Sequence, residues 1–209
     1  MLGDIVHLSA VCIEIMRREI AVFDFDGTLY SGDSFIDFAL FSQGRGRLLL
    51  AILKSLPVIL AWKTGMASNG KAKQRLFRSL YGGMRYQDFL DACDAFSRSV
   101  SQKIRADVKE MLAERQASGA EVYIISASPS EWIVPWAEKN GVRRVIGTGL
   151  EVRDGVLTGN FSTPNCYGAE KVRRFSELEP ERDGFMLWAY GDSKGDREMI
   201  AFSDRGLMV

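Results

Sequence analysis

The residues predict an α/β protein, a parallel sheet with helices on both faces, carrying an inserted helical block and a small β-hairpin. Three observations lead there. The apolar, aromatic run Ala21-Val22-Phe23-Asp24-Phe25 stops at Gly27 and reads as a buried strand. From Ile104 onward, helix-like and strand-like segments alternate, as in parallel-sheet units. Between these two regions, residues 34–105 show helix-like apolar spacing and no convincing strand.

Residues 1–16 are apolar in places but interrupted by Asp4 and Glu14, with no basic leader before the apolar part and no cleavage site. They read as an N-terminal extension, a candidate short helix without assigned function. In the insertion, Phe35, Phe38, Leu40 and Phe41, then Leu48–Leu60, then Leu76 and Leu80, then Phe89, Cys93 and Phe96 mark apolar faces. Gly44, Gly46, Gly65, Gly70, Gly82 and Gly83 punctuate them into about four short helices. Next come a helix over 104–118 stopped by Gly119, a strand over 121–125 ending at Ser126, and a helix over 131–139 in which Pro135 forces a kink or late start. A short strand over 144–149 precedes residues 150–161, where Asp154-Gly155 between two valines signals a hairpin. A helix over 171–178, a strand over 185–190, a helix over 196–202 and a last strand over 206–209 complete the series. The predicted division is a core of residues 1–33 and 106–209 and a helical cap of residues 34–105.

Composition narrows the function. At 209 residues the chain can hold one domain plus an inserted subdomain. Lys plus Arg and Asp plus Glu both number 27, so no global basic field points to nucleic acid as the partner. Cys12, Cys93 and Cys166 lack Cys-x-x-Cys spacing, which argues against a disulfide framework or zinc site and for a reducing, cytoplasmic setting. His7 is the one histidine and precedes the motif strand, so a mechanism built on a catalytic histidine is not expected.

Polar residues gather at predicted strand ends, where parallel sheets bind ligands. Asp24 and Asp26, spaced i, i+2, leave the first strand on one face. Two carboxylates that close are unfavourable unless a cation or shared proton offsets them, which suggests a Mg²⁺ site or an acid/base pair. Ser126 ends a second strand, and Gly191-Asp192-Ser193-Lys194-Gly195-Asp196 ends a third. Lys171 opens a helix, where a cation opposes the helix dipole and so needs another partner. Carboxylates for a hard cation, a hydroxyl and an ammonium are what a phosphoryl group held against Mg²⁺ requires. Other readings exist for single residues. An EF-hand loop starting at Asp24 would need an acid at its twelfth position, which is Phe35. Ser126 alone suits a strand cap, Lys171 a solvated helix position and Asp196 a helix N-cap.

In order and spacing these motifs resemble the haloacid-dehalogenase-like phosphohydrolases: Asp-x-Asp-Gly-Thr at 24–28, an apolar run ending in Ser126, Lys171, and Gly-Asp-Ser-x-x-Asp at 191–196. The helical stretch after the first motif resembles the phosphoserine-phosphatase-like branch, subclass IB. The resemblance implies a Rossmann-like core, with Asp24 as nucleophile forming an aspartyl-phosphate. It implies Asp26 as the acid that protonates the leaving oxygen and then the base that activates water. Mg²⁺ would be held by the Asp24 carboxylate, the Asp26 carbonyl and Asp192, with Asp196 orienting a metal-bound water or Lys171. Ser126 and the Ala127 N–H would bind phosphoryl oxygens, and Lys171 would balance charge.

The insertion bears on substrate. Asp33 stands where serine-specific members carry an acid, usually glutamate, for the substrate ammonium; it also suits a helix N-cap. Arg75, Arg78 and Arg85 suit a second phosphate contact or a solvated face. Residues 48–62, flanked by Arg45, Arg47 and Lys63, are apolar almost all round, but Lys54 and Pro57 divide them and disfavour a spanning helix. They read either as two core helices or a dimer contact, or as a hairpin making peripheral contact with the inner membrane face. The segment also resembles the apolar cap of bacterial phosphatidylglycerophosphate phosphatases. The expectation is a Mg²⁺-dependent phosphomonoester hydrolase acting on a small phosphorylated metabolite. The alternatives are a lipid phosphate phosphatase at a membrane interface and a non-catalytic phospho-ligand binding protein.

Overall fold

The computed structural model describes residues 18–209, so the N-terminal extension, His7 and Cys12 lie outside the described residues. In chain order the elements are β1 (Arg18–Phe23), α1 (Ser34–Lys63), α2 (Asn69–Tyr81), α3 (Tyr86–Gln102), α4 (Ala106–Ala117), β2 (Glu121–Ile125), α5 (Val134–Lys139), β3 (Arg144–Ile146), β4 (Leu150–Arg153), β5 (Val156–Phe161), α6 (Ala169–Leu178), β6 (Phe185–Gly191), α7 (Arg197–Phe202) and β7 (Arg205–Met208).

Five strands pair in parallel in the order β3-β2-β1-β6-β7. The chain winds outward to one side of β1 and later to the other, so the order reverses beside β1, where sheets of this kind open a crevice for ligands. Alternation along β1 splits the core: Ala21 and Phe23 face one side, with α4 residues Val108 and Leu112, while Ile20 and Val22 face Phe175 of α6 and Met199 of α7. The expected sheet with helices on both faces is present, and α5 starts late, after a 3₁₀ turn over Ser130–Trp132.

The inserted helices share an aromatic core. Phe38 packs against Tyr81, Phe89, Phe96 and Trp132, whose indole N–H donates to Ser34 Oγ at 2.9 Å. Phe35 and Tyr30 are likewise buried. The Asp154-Gly155 turn has positive φ at both residues (51° and 74°), as a type I′ hairpin demands. That hairpin is sewn to the α2–α3 turn: Gly83 N donates to Leu157 O (2.8 Å), Leu157 N to Met84 O (2.9 Å) and Tyr86 N to Gly155 O (2.8 Å).

Helix α1 differs from expectation. It runs through Pro57 without dividing, while its helical geometry does break at Gly44 (φ 75°, ψ 168°), one of the glycines expected to punctuate the insertion. Pro57 is on the exposed side, where water can satisfy the carbonyl that its missing N–H leaves unpaired. Residues 48–62 do not form two core helices either: Leu48, Ala51 and Ser55 are buried, while Leu49, Leu53, Leu56 and Leu60 are exposed. Among the described residues, no helix is long and apolar enough to cross a membrane.

Candidate active site

The carboxyl ends of β1, β2 and β6 meet at one cavity of about 430 Å³. Pairing between β1 and β6 extends to Asp24, whose N–H donates to Tyr190 O at 2.9 Å, so Asp24 leaves the sheet beside the loop carrying Asp192. Asp24, Asp26, Asp33, Ser126, Ala127, Lys171 and Asp192 all line the cavity. Gly27 permits this crowding: its φ is +85°, and a Cβ there would lie 2.1 Å from Asp192 Oδ2.

Lys171 finds in Asp24 and Asp196 the charge partners that its place in the first turn of α6 called for. Its Nζ lies 2.5 Å from Asp24 Oδ1 and 2.5 Å from Asp196 Oδ1, and all three side chains are buried. Burial alone would lower the lysine pKa, but the two carboxylates outweigh it and hold Lys171 charged, above its ordinary value. Burial pushes the Asp24 carboxyl up to about 7 despite Lys171, with Asp196 and Asp26 adding to the rise. Asp192, on the exposed side of the cluster, is also raised, by partial desolvation and then by Asp196.

Carboxylate oxygens of Asp24, Asp192 and Asp196 lie within 4.8 Å of one another. Three carboxylates facing one ammonium leave two negative charges, which a divalent ion would neutralise, and hard oxygen donors suit Mg²⁺. Asp196 differs from the other two. Its Oδ1 takes Lys171 and its Oδ2 accepts from Ser193 N (3.0 Å) and Ser193 Oγ (2.8 Å). That arrangement fits a group that orients Lys171 more than one that ligates an ion. Asp192 keeps a lighter tie, accepting from Thr28 Oγ1 at 3.2 Å.

Asp26 points toward the insertion: its Oδ1 accepts from Ser34 N (2.7 Å), at the start of α1, and its Oδ2 from Ser128 Oγ (2.5 Å). Ser126 Oγ accepts from Ser128 N at 3.0 Å and shapes the loop after β2. Asp33 takes the capping role, accepting from Phe35 N (3.0 Å) and Ile36 N (3.3 Å), and it also borders the cavity.

Sequence reasoning missed Ser128 and Lys73. Lys73 Nζ, on α2, donates to Ala127 O (3.0 Å) and to Ser128 Oγ (3.4 Å). Burial lowers its pKa, although Asp26 and Asp33 pull the other way. Arg75, Arg78 and Arg85 do not line the cavity; Arg78 instead bonds Asn160 of the hairpin. A signal was available, because Lys73 lies four residues before buried Phe77 and so shares the packed face of α2.

The chain is 32% identical over 187 residues to the protein CicA of Caulobacter vibrioides, a match that covers 88% of this chain and 83% of that one. Its fold is similar to that of a Bordetella pertussis protein of unknown function (TM-score 0.76, 22% identity, 92% and 90% of the two chains covered). It is also similar in fold to a phosphoserine phosphatase solved as an analogue of its phospho-aspartyl intermediate (TM-score 0.61, 16% identity, 92% and 86% covered). The family model for haloacid dehalogenase-like hydrolases matches residues 21–201, which include every strand-end residue described above. The chain belongs to the haloacid dehalogenase-like hydrolases.

Proposed function

We propose that this phosphatase hydrolyses phosphomonoesters through an aspartyl-phosphate on Asp24, with residues 34–105 acting as a cap over a core whose described part is residues 18–33 and 106–209. The observation that carries the reading is the pairing of Lys171 with both Asp24 and Asp196 beside Asp192. A carboxylate attacks a dianionic phosphate poorly unless nearby cations screen the repulsion. Lys171 provides one such cation. Asp24, the Asp26 carbonyl and Asp192 would hold Mg²⁺, which when bound supplies the second and polarises the phosphoryl oxygens.

The remaining roles follow from the neighbours. An Asp24 oxygen bonds to phosphorus as the phosphorus–ester oxygen bond breaks, and Asp26 gives its proton to the departing alkoxide. Water then attacks phosphorus, Asp26 takes the water's proton, and the Asp24–phosphorus bond breaks to release phosphate. The hydrogen bonds from Ser34 N and Ser128 Oγ hold Asp26 in place at the seam between core and insertion. Ser126 and Ala127, which line the same cavity, bind phosphoryl oxygens, and Asp196 keeps Lys171 aimed at Asp24.

Hydrolysis of p-nitrophenyl phosphate tests the reading. Turnover is expected with Mg²⁺ and not with EDTA, and Asp24→Asn should abolish it while circular dichroism stays unchanged. Retention of the wild-type rate by Asp24→Asn would overturn the assignment.

A further inference from the structure

Asp26 is held from behind by a chain of hydrogen bonds that starts in the packing of the insertion. Trp132 lies against Phe35 and Phe38 of α1, with ring centroids 5.9 and 4.9 Å away. Its indole N–H donates to Ser34 Oγ at 2.9 Å. Ser34 Oγ donates to Ser128 Oγ over a longer 3.5 Å, and Ser128 Oγ donates to Asp26 Oδ2 at 2.5 Å. Lys73 Nζ joins the chain from α2, 3.4 Å from Ser128 Oγ. An indole N–H and an ammonium only donate, and a hydroxyl has one proton to give, so these two ends fix the direction of every bond. Ser128 spends its lone pairs on Ser34 and Lys73 and turns its proton to Asp26.

The surroundings explain why Lys73 points this way. Helix α2 sets it between the strand-end cavity and an adjoining apolar slot of about 280 Å³, whose walls include Ile59, Trp62 and Leu76. Its ammonium stands over the Phe35 ring, which also lines the slot, at 5.5 Å, and gives its hydrogen bonds to Ala127 O and Ser128 Oγ. Ser128 itself is fixed by its backbone. Its N–H donates to Ser126 Oγ (3.0 Å) and its carbonyl accepts from Thr148 N (3.0 Å), so the loop does not depend on the Ser128 hydroxyl. That hydroxyl is fully buried, one residue beyond the cavity-lining pair Ser126 and Ala127, and meets the reaction through Asp26.

Resting on the reading of Asp26 as the acid, we propose that Ser128 is a positioning residue for proton transfer, through which the seating of α1 and α2 on the core aims Asp26. Both Asp26 oxygens face donors, Ser34 N and Ser128 Oγ, and the lone pairs of Ser128 are already taken. A proton on Asp26 is therefore left for the ester oxygen. The Asp26 O–H bond breaks as the phosphorus–oxygen bond opens and the alcohol O–H forms, while Ser128 keeps its own proton. Lifting the insertion from the core would withdraw Ser34 and Lys73 together and leave the acid unaimed.

The full chain with Mg²⁺, assayed on phenyl phosphate and on 2,4-dinitrophenyl phosphate, tests the proposal. The two esters are similar in shape, but phenolate leaves well only with a proton, whereas dinitrophenolate leaves without one. Ser128→Ala should lower kcat/KM by about ten- to a hundredfold on phenyl phosphate, part of what a general acid supplies, and by about threefold or less on the dinitrophenyl ester. Ser34→Ala, which keeps the backbone N–H to Asp26, should show the same bias at smaller size, and carries the test if Ser128→Ala does not fold. A hydroxyl that merely stabilised the loop would slow both esters alike. Equal losses on the two esters, or no loss on either, would overturn the proposal. Asp26→Asn should show the bias more strongly than either serine variant; an unbiased Asp26→Asn would instead count against Asp26 as the acid.

Discussion

Lys73, on the second inserted helix, donates to the carbonyl of Ala127, in the loop after the second strand, at 3.0 Å. A cation from the insertion thus touches the wall proposed to bind phosphoryl oxygens, and ties the insertion to the core where the substrate would sit.

Lys73→Met is therefore expected to raise KM by about ten- to a hundredfold, the worth of one charge-assisted hydrogen bond, with a smaller change in kcat. Burial lowers the pKa of this lysine, so its charge is lost as pH rises through a value below the ordinary 10.5. The alkaline limb of kcat/KM should sit there, and Lys73→Arg should move it upward. A limb unmoved by arginine would assign it elsewhere.

Asp192 and Asp196 belong to one acidic cluster but hold different partners. Asp192→Asn should raise the Mg²⁺ concentration for half-activation by about tenfold or more, as loss of a ligand does. Asp196→Asn should lower kcat with that concentration little changed, because it frees Lys171 without removing a ligand. Mg²⁺ titrations of the initial rate separate the two.

Asp24 links stability to pH. Its carboxyl is raised from an ordinary 3.8 to about 7, so its contribution is fully present below the ordinary value and is lost as pH rises through 7. In EDTA, Asp24→Asn should gain on the wild type between pH 4 and 8, by at most about 4 kcal/mol at roughly 1.4 kcal/mol per pH unit. Mg²⁺ should narrow the gap by stabilising the wild type. Urea titrations at both pH values measure it, and a gap independent of pH would contradict burial of the Asp24 carboxyl as the cause.

Glu179 shows the opposite sign. It is buried, takes two hydrogen bonds from Arg18 (2.6 and 3.0 Å) and one from the Tyr123 hydroxyl, and the Arg18 bonds hold its carboxyl below the ordinary 4.5. Its stabilisation is present above that ordinary value and is lost as pH falls through the lower one. Glu179→Gln should cost about 1–2 kcal/mol at pH 7, discounted for the exposure of Arg18, and progressively less below pH 4 by urea titration.

The strand-end residues were legible because each sits where a local signal stops. Asp24 and Asp26 precede Gly27, Ser126 closes an apolar run, Lys171 opens α6 and Asp192 follows β6. The hairpin turn was equally plain, since Asp154-Gly155 is suited to positive φ. Lys73 was hidden among Lys71, Arg75 and Arg78, where composition does not say which cation faces inward. The uninterrupted course of α1 past Pro57 was also hidden, because a proline breaks a helix or rides its wet side depending on what packs against it.

Local chemistry and spacing therefore determined the elements, their alternation, and the acids, hydroxyl and lysine that gather at the strand-end cavity, since each depends on neighbours a few residues away. Tertiary structure alone decided that the hairpin braces the α2–α3 turn, that Lys73 reaches Ala127 across 54 positions, and that an apolar slot opens beside the strand-end cavity. Those outcomes depend on which faces of distant segments meet, and that is settled by packing against the whole core.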